Sequence, residues 1–203
     1  MIDAGEALRR LRDGNHRFVT GQTPAQTLSH NVRRILALDQ VPFAVVLGCS
    51  DARVPAELVF DQGFGDLFVI RVAGNIVAPS QVGSVEFAAS RFGTKLVVVM
   101  GHSQCGAITA AIEELLDGAT TQSRNLRSIV DRVRPSVEAV IGGRRGTDRK
   151  TIVRESVIAN VKASVNHLRH GSELLEKLIQ NDGLVIVGAK YSLDTGIVTF
   201  LDD

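Results

Sequence analysis

Short apolar runs, separated by segments of helical periodicity, make up most of the chain. A run of four to eight apolar residues bounded by turn residues is typical of a buried β-strand. Runs that stay apolar throughout, such as 96–100, indicate strands covered on both faces, as in parallel sheets. A short turn at 192–196 joins the last two runs and predicts an antiparallel pair there. The predicted strands are 43–47, 67–72, 95–100, 184–191 and 196–202.

Apolar residues spaced three and four apart predict helices around and between these strands. The first of these helices is amphipathic, with Ala7, Leu8 and Leu11 on one side. Thr23 is a candidate N-cap for the second, because Pro24 then occupies the first helical position. The predicted helices are 4–18, 24–38, 56–60, 80–92, 106–116, 126–141, 152–168 and 172–181.

The alternation of strands and helices predicts an α/β fold with a mainly parallel central sheet, crossover helices and an antiparallel last strand. The first two helices, within 1–38, precede this alternation and are predicted to form an N-terminal helical arm. A chain of 203 residues that is 44% hydrophobic can bury a substantial core. We therefore expect a single domain over 1–203.

Charge and composition argue against several classes of partner. Lys and Arg number 23 against 22 Asp and Glu, so no overall field favours a nucleic acid. Trp is absent and Tyr occurs once, which removes stacking platforms for single-stranded nucleic acid. No apolar run approaches the roughly 20 residues of a membrane-spanning helix, and the N-terminus lacks the apolar core of a signal peptide. We expect a cytoplasmic protein without a membrane partner.

The chain contains two cysteines, and each follows the end of a predicted strand. Cys49 lies in the stretch LGCSDARVP, and Cys105 lies in the stretch MGHSQCG. The carboxyl ends of parallel strands are where open α/β sheets bind ligands. A buried free cysteine also occurs as a small apolar core residue. In a chain of this length, the pair indicates reduced thiols or metal ligands rather than a disulfide framework.

His102 precedes Cys105 by three residues, so a strand end and the first turn of a helix are able to share one ligand site. With Cys49 they form a Cys2His set, which zinc binds in catalytic sites with a fourth position open for water. Asp51 and Arg53 beside Cys49 are able to pair, which keeps the carboxylate ionised and oriented towards such a water. Taken alone, an HxxC spacing is a weak signal and an Asp-x-Arg is most often a surface ion pair.

The stretch CSDARVP followed by GHSQCG resembles the β-class carbonic anhydrases, whose zinc motifs read CxDxR and HxxC with a similar separation. Further likeness lies in DLFVIRVAGN at 66–75 and in GSVEFA at 83–88. The resemblance covers at least 40–110, and the N-terminal helices and the final strands are compatible with it.

The resemblance implies a zinc enzyme that hydrates carbon dioxide reversibly to bicarbonate and a proton. It implies one Zn²⁺ per chain, held by Cys49, His102 and Cys105. It also implies that Asp51 and Arg53 form the dyad that orients the attacking water. A zinc ion lowers the pKa of water to about 7, which makes hydroxide available as a nucleophile near neutral pH.

The resemblance also implies a substrate pocket at a subunit interface. Gln40 and the backbone N–H of Gly106 match positions that hydrogen-bond the substrate. Phe68 and Phe87 match apolar pocket positions, with plain core packing as the alternative for both. We therefore expect a homodimer or a tetramer, in which the first amphipathic helix packs on the neighbouring subunit.

Three other functions are compatible with parts of the pattern. A hydrolase of carbonyl sulfide or carbon disulfide on the same scaffold would carry identical ligands. A non-catalytic zinc-binding protein would complete four ligands by adding Asp51. A nucleotide-binding module would share the alternating elements, but Gly63 and Gly65 do not belong to a GxGxxG or a P-loop sequence.

One departure from the family pattern concerns regulation. Some β-class enzymes hold a non-catalytic bicarbonate with Trp, Arg and Tyr, and the dyad Asp then moves onto zinc and closes the site. Arg71 and Tyr191 match two of these positions, but Val46 stands where the Trp would be. Val offers no indole N–H, so the resemblance implies a weak or absent bicarbonate site and an open form near neutral pH.

Overall fold

The computed structural model describes residues 2–23, 30–120, 123–143 and 148–201. Helices are α1 (Ala4–Thr20), α2 (His30–Leu36), α3 (Ala56–Val59), α4 (Pro79–Phe92), α5 (Gly106–Leu116), α6 (Arg124–Gly143), α7 (Arg149–His170) and α8 (Glu173–Asn181). Strands are β1 (Ala44–Gly48), β2 (Leu67–Arg71), β3 (Leu96–His102), β4 (Val185–Tyr191) and β5 (Val198–Leu201).

The strands form one sheet in the order β2-β1-β3-β4-β5. The first four run parallel, and β5 is antiparallel to β4. In the register of the sheet, Gly48 at the end of β1 pairs with Met100 in β3. The chain therefore leaves β1 and β3 at neighbouring places on the carboxyl edge. This confirms the predicted fold class, with its parallel strands, crossover helices and antiparallel last strand.

Two apolar layers cover the sheet, as the uniformly apolar strands predict. On one face, Val46 and Val98 pack with residues of α1 and α3. On the other face, Val45 and Val97 pack with residues of α4, α7 and α8. A third apolar cluster, formed mainly by α5, α6 and α7, encloses both cysteines at the carboxyl edge.

Helix α1 packs on the core of its own chain. Ala7 and Leu11 are fully buried there. The Asn15 side chain donates to the carbonyls of Val59 and Gly196 and accepts the N–H of Val198. Amphipathicity predicts that one face of α1 is buried but does not say against what. Ala7 and Leu11 are therefore covered within the chain, and a contact of the rest of α1 with a neighbouring subunit stays a prediction.

Several element boundaries differ from those predicted. Part of the predicted second helix, 24–29, lies outside the described residues, so its predicted start is not tested, and α2 ends at Leu36 rather than at 38. Helix α6 continues through Pro135 to Gly143. A short 3-10 turn, Ala73–Asn75, was not expected. Within the described ranges, no helix is both long enough and apolar enough to cross a bilayer.

Candidate metal centre

Three side chains with metal-ligating atoms meet at the carboxyl edge of the sheet. Cys49 directly follows β1, His102 is the last residue of β3, and Cys105 is the N-cap of α5. Their ligand atoms all lie within 4.8 Å of one another, and all three residues are buried. The structure thus brings together the three residues that the sequence predicted as zinc ligands.

The chain reverses direction between His102 and Cys105. Gln104 has a φ of 56°, a left-handed conformation that turns the backbone within three residues. The N–H of Ser103 donates to the carbonyl of Tyr191, which anchors the turn on β4. Cys105 then lies at the N-terminus of α5, where the helix dipole favours a thiolate.

The His102 ring presents one nitrogen to the two sulfurs. Its Nδ1 lies 2.9 Å from the carbonyl oxygen of Ser103. Because a carbonyl only accepts, Nδ1 carries the proton and Nε2 keeps a free lone pair. Nε2 is fully buried and has no hydrogen-bond partner within the described part of the chain. A buried acceptor left in this way is costly unless it binds something, and a metal ion between it and two sulfurs satisfies it. The donor set therefore fits zinc.

The contact between the two cysteines shifts their pKa values in opposite directions. The pKa of Cys49 is lowered to about 4, mainly because of a hydrogen bond from the Cys105 thiol, and the backbone N–H of Gly74 lowers it further. The pKa of Cys105 is raised, because its proton is held by Cys49 and because it is buried. These opposite shifts favour a thiolate at Cys49, and a cation bound between the two sulfurs would displace the remaining thiol proton.

Asp51 and Arg53 form a bidentate pair beside the cysteines. Nε and Nη2 of Arg53 donate to the two carboxylate oxygens at 2.9 Å and 2.7 Å, and the Arg53 N–H donates at 3.0 Å. These bonds hold the pKa of Asp51 well below its usual range. Oδ2 of Asp51 lies 3.9 Å from Nε2 of His102. The carboxylate is therefore ionised and faces the ligand cluster, while Arg53 holds it in place.

Arg71 has a contact that the sequence did not indicate. Its Nε donates to the carbonyl of Cys49 at 3.1 Å, and its Nη2 donates to the carbonyl of Asp51 at 2.6 Å. The guanidinium thus holds the backbone on which a ligand and the dyad carboxylate are placed. Val46 is fully buried in the core, and Tyr191 lies on β4, separated from β2 by two strands.

The predicted pocket residues lie away from this cluster within the chain, except for Gly106. Gly106 begins α5, directly after Cys105. Phe68 pairs with Val45, four residues before Cys49, which places it roughly 13 Å along the strand from the cysteine. Phe87 contacts Phe68 with ring centroids 6.2 Å apart and is 53% exposed. Gln40 is exposed, and its role, like theirs, stays a prediction.

Comparisons with known proteins agree on one family. The family model described as carbonic anhydrase matches residues 44–198. Carbonic anhydrase 2 of Mycobacterium tuberculosis H37Rv is 41% identical over 198 residues, covering 97% of this chain and 92% of that protein. A carbonic anhydrase of Mycolicibacterium smegmatis is 39% identical over 194 residues, covering 95% of this chain and 90% of that protein.

Solved structures of β-class enzymes share the fold. The β-carbonic anhydrase CafA of Aspergillus fumigatus superposes with a TM-score of 0.77 at 24% identity, covering 98% of this chain and 90% of that one. A tetrameric β-carbonic anhydrase of Sordaria macrospora superposes with a TM-score of 0.74 at 25% identity, covering 84% of this chain and 86% of that one. The chain belongs to the carbonic anhydrase family, a family of zinc enzymes, and has the fold of its β class.

Proposed function

We propose that this chain hydrates carbon dioxide reversibly to bicarbonate and a proton at the cluster of Cys49, His102 and Cys105. The observation that carries the proposal is a buried three-ligand set with an ionised, clamped carboxylate beside it. Zinc held by these ligands supplies a Lewis acid that lowers the pKa of water to about 7, so that a hydroxide nucleophile is available at neutral pH.

The chain's own residues orient the reactants. The carboxylate of Asp51 accepts a hydrogen bond from the attacking water, and Arg53 fixes the direction in which that carboxylate points. The backbone N–H of Gly106, at the N-terminus of α5, donates to an oxygen of the substrate as charge develops there. Phe68, Phe87 and Gln40 complete the substrate pocket from a second subunit.

Two alternatives are weaker. A structural zinc needs a fourth protein ligand, but among the described residues the ligand cluster contains Cys49, His102 and Cys105 and does not include Asp51. A hydrolase of carbonyl sulfide or carbon disulfide would use the same ligands and differ in its pocket. Assays of the purified, zinc-loaded protein on all three substrates decide the matter. We expect carbon dioxide to give the highest kcat/KM, and a higher value for either sulfur compound would contradict the proposal.

A dimer supplies the residues that the single chain holds apart from the cluster. Among the described strands, β2 lies at an edge of the sheet, and exposed apolar side chains lie near it. Phe87 is 53% exposed, Phe64 is 68% exposed and Leu38 is 86% exposed. Exposed apolar side chains grouped at a sheet edge indicate a protein interface. We therefore propose an obligate dimer, in which residues 1–203 of each chain form one domain.

Replacing Phe87 should weaken the dimer and the activity together. We expect Phe87→Arg to shift the protein towards monomer in light scattering and to lower kcat/KM for hydration about tenfold or more, because a charge at the interface is desolvated. Leu126→Arg is the matched control, since Leu126 on α6 is similarly exposed at 49%. A fully active wild-type monomer at working concentration would contradict the dimer.

We place the protein in the cytoplasm. Both cysteines are free and buried, and their use as metal ligands requires that they stay reduced. A reducing compartment suits this chemistry.

Bicarbonate should not close the site near neutral pH. Val46 supplies no donor, and Arg71 is already engaged with the carbonyls of Cys49 and Asp51. We expect crystals grown near pH 7.5 to show Asp51 paired with Arg53, as in this structure. Asp51 on the metal, with bicarbonate against Arg71, would contradict this expectation.

A further inference from the structure

A buried series of hydrogen bonds joins α7 to the sulfur of Cys49. The backbone N–H of Gly74 donates to Sγ of Cys49 at 3.4 Å. The carbonyl of the same Gly74 accepts from Nδ2 of Asn160 at 2.8 Å. On the next turn of α7, Oγ of Ser164 donates to the carbonyl of Asn75 at 3.1 Å. Gly74 therefore bonds the sulfur of Cys49 through its N–H and bonds α7 through its carbonyl.

The turn adopts a backbone conformation that needs support. Gly74 has a φ of 71° and Asn75 a φ of 42°, both in the left-handed region. A Cβ on Gly74 would lie 2.9 Å from Cβ of Ala107, so the site accepts glycine only. The Gly74 carbonyl, in the peptide that follows the Gly74 N–H, is held from outside the turn by Asn160.

Asn160 is well suited to give that support. It is 3% exposed, and its side-chain donor is used within the protein on the Gly74 carbonyl. Ser156, one turn earlier on α7, is also fully buried, but its Oγ has no hydrogen-bond partner among the residues described. Of these two buried polar side chains of α7, Asn160 bonds the turn and Ser156 does not.

We infer that Asn160 is a positioning residue of the metal centre: it orients Gly74 so that the Gly74 N–H donates a hydrogen bond to the Cys49 thiolate. A donor to a ligand thiolate stabilises its charged form and orients its lone pairs towards the metal. The inference rests on the proposed use of Cys49 as a zinc ligand, and it assigns Asn160 no contact with substrate.

The test compares two substitutions on α7. Asn160→Leu keeps the approximate side-chain size and removes the donor, while Ser156→Ala is the matched control. Loss of an outer hydrogen bond to a metal ligand costs about tenfold to a hundredfold in metal affinity. We expect Asn160→Leu to bind zinc at least about tenfold more weakly in chelator competition. We also expect its Co²⁺ form to show a shifted thiolate-to-cobalt charge-transfer band. Ser156→Ala should match the wild type in both.

Unchanged zinc affinity and an unchanged cobalt band in Asn160→Leu would overturn the inference. If Asn160→Leu does not fold, Asn160→Ala takes its place. Failure of both to fold, beside a folded Ser156→Ala, would make Asn160 a folding residue and also overturn it. Neither readout requires turnover, so a wild type that binds zinc without hydrating carbon dioxide would refute the proposed function and leave this inference standing.

Discussion

Cys49→Ser and His102→Ala should each lose tight zinc binding and carbon dioxide hydration. Each change removes one of three buried ligands whose donor atoms lie within 4.8 Å of one another. The free energy of zinc binding at a site of this kind is about 10 kcal/mol or more. One of three protein ligands therefore contributes about 3 kcal/mol to it. We expect affinity to fall about a hundredfold or more, since each 1.4 kcal/mol is a factor of ten. Chelator competition and metal analysis measure the loss.

A histidine away from the cluster provides the control for these variants. His16 on α1 is exposed, so His16→Ala should keep both zinc and activity. Full zinc content together with full activity in Cys49→Ser or in His102→Ala would show that the ligands are assigned wrongly.

Asp51→Asn and Arg53→Ala should keep zinc and lose most hydration activity. In the proposed mechanism both residues act on the water rather than on the metal, and the Asp51 carboxylate is bound by Arg53. Removal of a group that orients a proton in the transition state typically costs about 10² or more in rate. We expect that loss in kcat/KM for hydration, with zinc content unchanged. Because the pKa of Asp51 is lowered, the carboxylate stays ionised at neutral pH, and protonation of Asp51 should not contribute to the pH–rate profile there.

An exposed ion pair elsewhere in the chain provides the control for simple loss of a surface charge. Lys177 on α8 bonds Glu173 at 2.6 Å, and both side chains are well exposed. Lys177→Ala should leave hydration unchanged. Wild-type turnover in Asp51→Asn or Arg53→Ala would reduce the proposed dyad to a surface pair of the same kind.

The positions of the three candidate zinc ligands could be predicted from sequence because they depend on short-range patterns. Apolar runs locate the ends of β1 and β3, and parallel strands place those ends at one edge of the sheet. His102 and Cys105 then share a site because only two residues separate them. The prediction that His102 and Cys105 share a site does not depend on the order of the strands. That order does place β1 beside β3.

The surroundings of the ligands depend on contacts between distant residues, which local patterns do not indicate. Arg71 reaches carbonyls 22 and 20 residues away, and Asn160 reaches one 86 residues away. The Gly74–Asn75 pair signals a turn, but not that its N–H faces a sulfur. The one feature of the sequence that pointed to the Asn160 contact was a polar residue on the apolar side of a helix. The second subunit proposed to cover the exposed part of Phe87 is not indicated by any local pattern of one chain.

Stopped-flow measurement of carbon dioxide hydration, before and after removal of zinc from the same protein, tests the central claim most directly. We expect rapid hydration by the loaded protein, loss of catalysis after chelation, and recovery when about one zinc ion per chain is returned. Two results would contradict it. One is a zinc-loaded protein no faster than the uncatalysed reaction, and the other is full activity that survives removal of the metal.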